Sequence, residues 1–402
     1  MQPILASLLA FAAPAAAQEA PPPKEPEIVV TGVRLSDTKH ALDACLARRC
    51  PPKEDIAATL AHTENLFVAG QYENAQNVAA AGIRRNRGHA KELPREVAGL
   101  FRAHSRLSAN LGEVQQERSS ATDMVQALRA GLGDTQADVL VGRIELADVY
   151  AKQGAFEIAE ANYRDIARAA QAAGYKKVEG YARFRHGMVL SSLARADYPY
   201  TVRARAVLRD LAASTAPELA VFADAARTGL KRLELRNAKP EQLAQMLASL
   251  QGGTPTARPT LLYGEGVDLN NARTGRDSGS VTTLASADRV EDQWVDVAFY
   301  IDAKGLPQDI EVVRTSDAFS GGWDEAVLKS IRTRRYAPLT LVDGQPGVFR
   351  VERYTKTAPL VEISGSRFLQ RSAVSRVEMT DLSVEPSASA GAAAPKPTSP
   401  TV

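Results

Sequence analysis

A small residue recurs every 42 positions through the middle of this chain, at Gly70, Gly112, Gly154, Ala196 and Ala238. Two places after each stand Tyr72, Val114, Phe156, Tyr198 and Pro240, and five places after each stand Ala75, Glu117, Ala159, Thr201 and Leu243. The apolar residues between these points keep helical spacing, so residues 54–251 read as helix after helix, broken at Gly, Asn and Pro. Gly or Ala at a turn lets two helices approach closely, and the residue two places on opens the second helix and packs it back on the first. Such a turn is expected to leave no room for a branched side chain. A regular array of helical hairpins follows, with an irregular helical bundle as the alternative. Arrays of this kind offer binding surfaces rather than catalytic pockets.

Charge and motifs narrow the function classes. With 49 Lys and Arg against 47 Asp and Glu, the net charge of +2 gives no electrostatic hold on nucleic acid. The run Arg84-Arg85-Asn86-Arg87 closes a helix, where cations complement the dipole, and reads as a solvated helix end. Ser36-Asp37-Thr38-Lys39 satisfies S-x-x-K only formally, beside the start of a short helix and with no K-T-G after it. No G-x-S-x-G, H-E-x-x-H or Gly-rich phosphate loop occurs. His62 and His104 hold equivalent repeat positions but belong to different repeats, and they read as core histidines rather than paired ligands. The expectation is a protein without catalytic, cofactor or metal residues.

The beginning of the chain reads as an export signal. Residues 3–17, PILASLLAFAAPAAA, are uncharged and end in the small-residue pattern that a signal peptidase accepts. As a helix they would reach ~22 Å, short of a ~30 Å hydrocarbon core. Cleavage after 17 and release into the periplasm are expected, with retention as an anchor as the alternative. In an exported chain the isolated pair Cys45 and Cys50 reads most simply as a disulfide, ahead of a metal or redox site. Five residues of continuous helix would hold the pair too far apart, so the helix must break before Cys50, and Pro51-Pro52 marks the break.

Beyond a Gly, Thr, Ser and Pro-rich stretch the period changes. In WVDVAFYID, Val295, Val297, Phe299 and Ile301 point one way and Asp296, Tyr300 and Asp302 the other. Ala303-Lys304-Gly305 turns the chain, and QDIEVVRTS returns as a second strand. A helix opens at Trp323-Asp324 and is ended by Pro338. GVFRVERYT follows as a third strand with no clear later partner, so Val348–Tyr354 is expected at the sheet edge.

Two family resemblances organise these readings. IELADVYAKQGAFEIAEANYRDIARAA carries Leu146, Ala147, Tyr150, Gly154, Phe156, Ala159 and Tyr163 where a tetratricopeptide repeat places its bulky-small-bulky signature, and NLFVAGQYENA matches the same turn. The array thus resembles that family in a 42-residue form. WDEAVLKSIRTRRYAP resembles the helix of the TonB carboxyl-terminal domain, the periplasmic energy transducer: Asp324, Ala326, Leu328, Arg332, Arg335 and Pro338 match, with Arg334 where the family has Trp. EIVVTGVR resembles the TonB box of outer-membrane receptors, a strand added to a sheet edge through backbone hydrogen bonds. A β-rich stretch with no such role is the alternative, and LVEISGSRF is a weaker echo.

The expected fold class is mainly α, a tetratricopeptide-like solenoid followed by a small α+β domain of order strand-strand-helix-strand. The expected boundaries are a signal peptide at 1–17, an extended segment with box and Cys pair at 18–53, repeats at 54–251, and a linker at 252–289. The TonB-like domain is expected at 290–356 and a mostly disordered tail at 357–402. The resemblances imply a non-catalytic envelope protein binding other proteins, TonB-dependent receptors among them, through Ile28, Val29, Val30, Thr31, Phe349, Val351 and Tyr354. The alternatives are an anchored energy transducer and, more distantly, a periplasmic enzyme.

Overall fold

The computed structural model describes residues 33–383, apart from 195–197, 235–238, 251–254, 257, 270–292, 342–344, 363–367 and 373. The export signal, the Ile28–Thr31 segment, the beat positions Ala196 and Ala238, and everything after Ser383 lie outside the described residues. The molecule is mainly helical, with a small sheet region towards its carboxyl-terminal end.

Eleven described helices precede the sheet: α1 (Leu35–Ala47), α2 (Pro52–Val68), α3 (Tyr72–Asn86), α4 (Pro94–Asn110), α5 (Val114–Leu132), α6 (Ala137–Lys152), α7 (Phe156–Ala172), α8 (Lys176–Leu193), α9 (Tyr198–Ala212), α10 (Ala220–Glu234) and α11 (Pro240–Leu250). From α1 to α10 each packs on the next, and α2 also touches α4, α6 touches α8, and α8 touches α10. Tyr72, Val114, Phe156, Tyr198 and Pro240 are each the first residue of a helix. The turns before three of them share one geometry. Gly70, Gly112 and Gly154 have φ of 78°, 76° and 81°. The next residue donates its N–H five residues back, from Gln71 to Leu66, Glu113 to Ser108 and Ala155 to Tyr150. This is a helix end closed by a left-handed glycine. Space is not what fixes Gly154, since no heavy atom lies within 4 Å of where its Cβ would stand. The positive φ is the constraint there, which corrects the expectation of a crowded turn.

Local chemistry explains the first helices. α1 ends at Ala47, Arg49 takes φ 51°, and Cys45 and Cys50 come to bridging distance with Cα atoms 5.1 Å apart. His62 is buried with its Nδ1 3.1 Å from the Thr38 hydroxyl, and the His104 ring meets Ser120 Oγ at 2.8 Å. The two rings therefore serve separate contacts. Arg85 is not merely solvated: its Nε donates to Asp55 at 2.8 Å, tying α3 to α2.

The sheet region comprises β1 (Leu261–Tyr263), β2 (Trp294–Ile301), β3 (Pro307–Thr315), α12 (Asp324–Arg332), β4 (Arg335–Tyr336), β5 (Val348–Thr357), β6 (Leu360–Glu362), β7 (Leu369–Arg371) and β8 (Arg376–Asp381). The principal sheet is antiparallel, in the order β3-β2-β5-β8, while β1 pairs with β4 and β6 with β7. Val295, Val297, Phe299 and Ile301 pack with Val327 and Ile331 of α12 and with Trp323. Asp302 holds the β2–β3 turn by accepting the N–H groups of Lys304 and Leu306, both at 2.9 Å.

Several expectations are corrected. α12 stops at Arg332, before Pro338, because the chain enters β4. The stretch read as linker contributes β1, and the stretch read as tail contributes β6, β7 and β8. From Glu352 onward β5 is not an edge: β8 pairs with it from Glu352↔Asp381 to Thr357↔Arg376. The second face of β2 is covered too, since Trp294 and Asp296 are buried.

Candidate protein-binding surface

What buries that second face is the helical array. The Trp294 indole lies against Gly70 and belongs to an apolar cluster with Leu66, Tyr72, Ala75, Ala79 and Leu107. Arg353, on β5 opposite Asp296, is fully buried. Its Nε donates to Asp296 Oδ1 at 2.6 Å and its Nη2 to Oδ2 at 2.9 Å. The same guanidinium lies 3.8 Å from the Trp294 ring centroid and donates to the carbonyls of Phe67 and Val68 at the end of α2. Helix ends leave carbonyls unpaired and carry partial negative charge, so a cation there is doubly favoured. Tyr72, the first residue of α3, meets Thr355 Oγ1 at 2.8 Å, and burial pushes its hydroxyl pKa up to about 12.

The next turn along the array is used in the same way. Leu360 N–H donates to Gly112 O at 2.8 Å, and Arg371 Nη1 donates to Leu111 O at 2.9 Å. A Cβ on Gly112 would collide with Ala358 O. At the end of α6, Lys152 bridges buried Glu117 of α5 and Glu378 of β8. The sheet region thus lies across successive helix ends, its strands spaced along them.

The predicted binding residues divide. Ile28, Val29, Val30 and Thr31 lie outside the described residues. Phe349 is half-buried and its ring stands 5.1 Å from that of Tyr300. Val351 gives its N–H to Ser383 Oγ at 2.9 Å and accepts from Leu382 N–H at 2.8 Å. Tyr354 is buried, and its hydroxyl accepts from Arg334 Nη2 at 2.6 Å and donates to Glu352. Neither Val351 nor Tyr354 offers an open ladder to a partner, because β2, β8 and the 382–383 turn already fill it. Arg334 donates to both Glu352 oxygens, at 2.9 and 2.8 Å, and to Tyr336 Oη at 3.0 Å, so a buried polar cluster forms around it. Burial raises the pKa of Tyr336 and of Tyr354, reinforced at Tyr354 by the Glu352 charge.

The edges of the principal sheet are therefore β3 and β8. β3 is irregular, with register shifts opposite Asp296/Val297 and Ala298/Tyr300 and with Asp309 at φ 51°, features that guard an edge against pairing. β8 runs in unbroken register with β5. A cleft of about 410 Å³ separates it from α4, α5 and α6, and a second of about 520 Å³ lies between it and residues 261–269. Sequence reasoning missed Trp294, Asp296, Arg353 and all of β8. The alternation in RVEMTD was the available signal for β8.

No protein-family model matches the chain, and no curated protein matches it. Among solved structures, BtubC (BKLC) from P. vanneervenii is similar at 15% identity, over 56% of this chain and 93% of that one, with a TM-score of 0.37. A likeness of that size carries no argument about fold or function.

Proposed function

We propose that this is an exported, non-catalytic protein of the cell envelope that binds other proteins. It does so through a tetratricopeptide-like array and a TonB-like carboxyl-terminal domain, in connection with TonB-dependent transport. The observation that supports this reading most is the seating of the sheet on the helix ends at Gly70 and Gly112. That seating joins two binding elements into one continuous surface. The resemblance of WDEAVLKSIRTRRYAP to the TonB helix and the 42-residue beat support the two family readings within this proposal. No described helix is long and apolar enough to cross a membrane.

The test is fractionation of the envelope followed by amino-terminal sequencing and cross-linking in intact cells. The expected result is a periplasmic protein starting near Gln18 and cross-linked to an outer-membrane receptor. Recovery only with the inner membrane, residues 1–17 retained, would overturn the reading in favour of an anchored transducer.

A further inference from the structure

Three apolar side chains that folding would ordinarily cover stand around one cavity. Leu261 is 46% exposed, Val374 74% and Met379 52%, and all three line the space of about 520 Å³ between β8, residues 261–269 and α12. Half-buried Val267, Leu269 and Val377 continue its wall. Exposed apolar residues scattered singly need no explanation, but a group gathered round a concave space marks a place where something binds. The volume falls within the ~300–1,000 Å³ of small-molecule sites, which combine apolar walls with a few placed polar groups.

The polar groups of this cavity are placed and already neutralised. Buried Arg334 and Tyr354 line it. Arg334 Nη1 donates to both Glu352 oxygens and its Nη2 to the Tyr354 hydroxyl, so the guanidinium charge is answered within the chain. Among the described residues nothing accepts from Arg334 Nε. Ser330 spends its hydroxyl proton on Glu265 O at 2.6 Å. The other charges of the lining are Glu265, Asp268 and Arg376. Glu378 holds Arg376 at 2.8 Å, and Glu265 accepts from Tyr263 at 3.2 Å. Arg334 and Arg376 thus balance Glu265 and Asp268, and the cavity favours neither sign of charge. A charge brought in would lose its water without gaining a free counter-charge, whereas a neutral acceptor needs one donor only.

We infer that this cavity binds an uncharged, mainly apolar small molecule that carries a carbonyl group. The carbonyl oxygen accepts from Arg334 Nε, and the apolar body covers Leu261, Val374 and Met379. Covering those side chains supplies the affinity, and the single hydrogen bond fixes the direction in which the molecule lies. A carboxylate head would bring a second anion to a guanidinium that Glu352 already satisfies. An ammonium head would face that guanidinium directly. The inference goes beyond the protein-binding function proposed above, because the ligand is a small molecule and every lining residue belongs to the sheet region.

The experiment is isothermal titration calorimetry of the full chain with 2-decanone, decanoate and decylammonium, which share a chain length and differ at the head. The ketone is expected to bind with a negative heat-capacity change, the mark of apolar burial. Each charged probe is expected to bind about tenfold more weakly or less. A protein carrying Leu261→Ala, Val374→Ala and Met379→Ala together loses only exposed side chains, so its melting temperature should hold while its affinity for the ketone falls about tenfold. Should that variant unfold, photolabelling of the unaltered protein decides instead. A ketone with a diazirine at the far end of its chain should mark Leu261, Val374 or Met379. Absence of ketone binding, equal binding of the three probes, an unchanged affinity in the folded triple variant, or label outside the cavity lining overturns the inference. Each of these outcomes leaves the protein-binding function to its own test by cross-linking.

Discussion

Gly112 and Gly154 share a backbone conformation but not a neighbourhood, which separates two costs usually entangled. Both have positive φ, so alanine at either is strained and should cost about 1 kcal/mol. At Gly154 that is the whole effect, because open space surrounds the missing Cβ. At Gly112 the methyl also meets Ala358 O and disturbs the bond from Leu360 N–H. Gly112→Ala should therefore destabilise by about 1–3 kcal/mol more than Gly154→Ala, since overpacking is added to strain. Paired denaturant titrations check this, and equal losses would mean that the sheet does not rest on this turn. The buried histidines make a second prediction. Burial holds His62, His104 and His186 below the ordinary imidazole pKa. The unfolded chain then binds more protons than the folded one just below about pH 6.5. The fold carries no penalty above that pH and loses stability as pH falls through the depressed values. His104→Gln removes one titrating ring beside Ser120 and should flatten the slope of unfolding free energy between about pH 6.5 and 5. An unchanged slope refutes the assignment.

At the level of elements, β8 decides what the sheet can join. A chain truncated after Ser375 would leave the outer groups of β5 bare from Glu352 to Thr357. An exposed, regular ladder templates pairing with another copy, and β5 is ten residues long against six for β8, so the truncated protein should self-associate more strongly with rising concentration than the full chain. Light scattering after size exclusion reads this directly, and a truncated protein that stays monomeric counts against β8 as the cover of β5. The elements differ in how far local sequence announces them. Helix starts at Tyr72, Val114 and Phe156 were legible because a positive-φ glycine ends one helix two residues before the next. The core face of β2 was legible because Val295, Val297, Phe299 and Ile301 alternate. What covers its other face was not legible, since an Asp296 turned to water and an Asp296 turned to Arg353 have the same local pattern. β8 escaped notice because it is six residues long and pairs only once β5 is in place. The predicted edge at Val351 and Tyr354 failed with it.

The whole molecule poses the question of whether array and sheet are one folding unit or two. Contacts between residues some 285 positions apart, such as Tyr72 with Thr355 and Arg353 with Val68, leave no local trace in sequence. Yet they are buried, and Trp294 sits inside an apolar cluster whose other buried members are helical. Separating the two parts would expose that indole and break the bonds from Arg353 to the Phe67 and Val68 carbonyls, while the Arg353–Asp296 pair stays within the sheet. Each such charge-assisted bond is worth about 1.5–3 kcal/mol, and undocking would also return several apolar side chains to water. Docking should therefore be as stable as the parts it joins. The chain has only two tryptophans, which makes the claim measurable. Trp294 reports the junction, while Trp323 is buried in the sheet core with its Nε1 donating to Gln293 at 2.9 Å. Trp323→Phe leaves the junction reporter alone, and Trp294→Phe leaves the core reporter. With Trp323→Phe, Trp294 fluorescence and helical circular dichroism should follow one denaturant transition, as a cooperative unit requires. Arg353→Met leaves Asp296 buried with only the half-exposed Arg314 to answer it, at 2.6 Å. In that background the Trp294 signal should move to lower denaturant than the helical signal, because the junction then opens first. Coincident transitions in the Arg353→Met protein would show that the guanidinium does not hold the two parts together. Separated transitions without that change would show that the sheet undocks freely and that array and sheet act as independent modules.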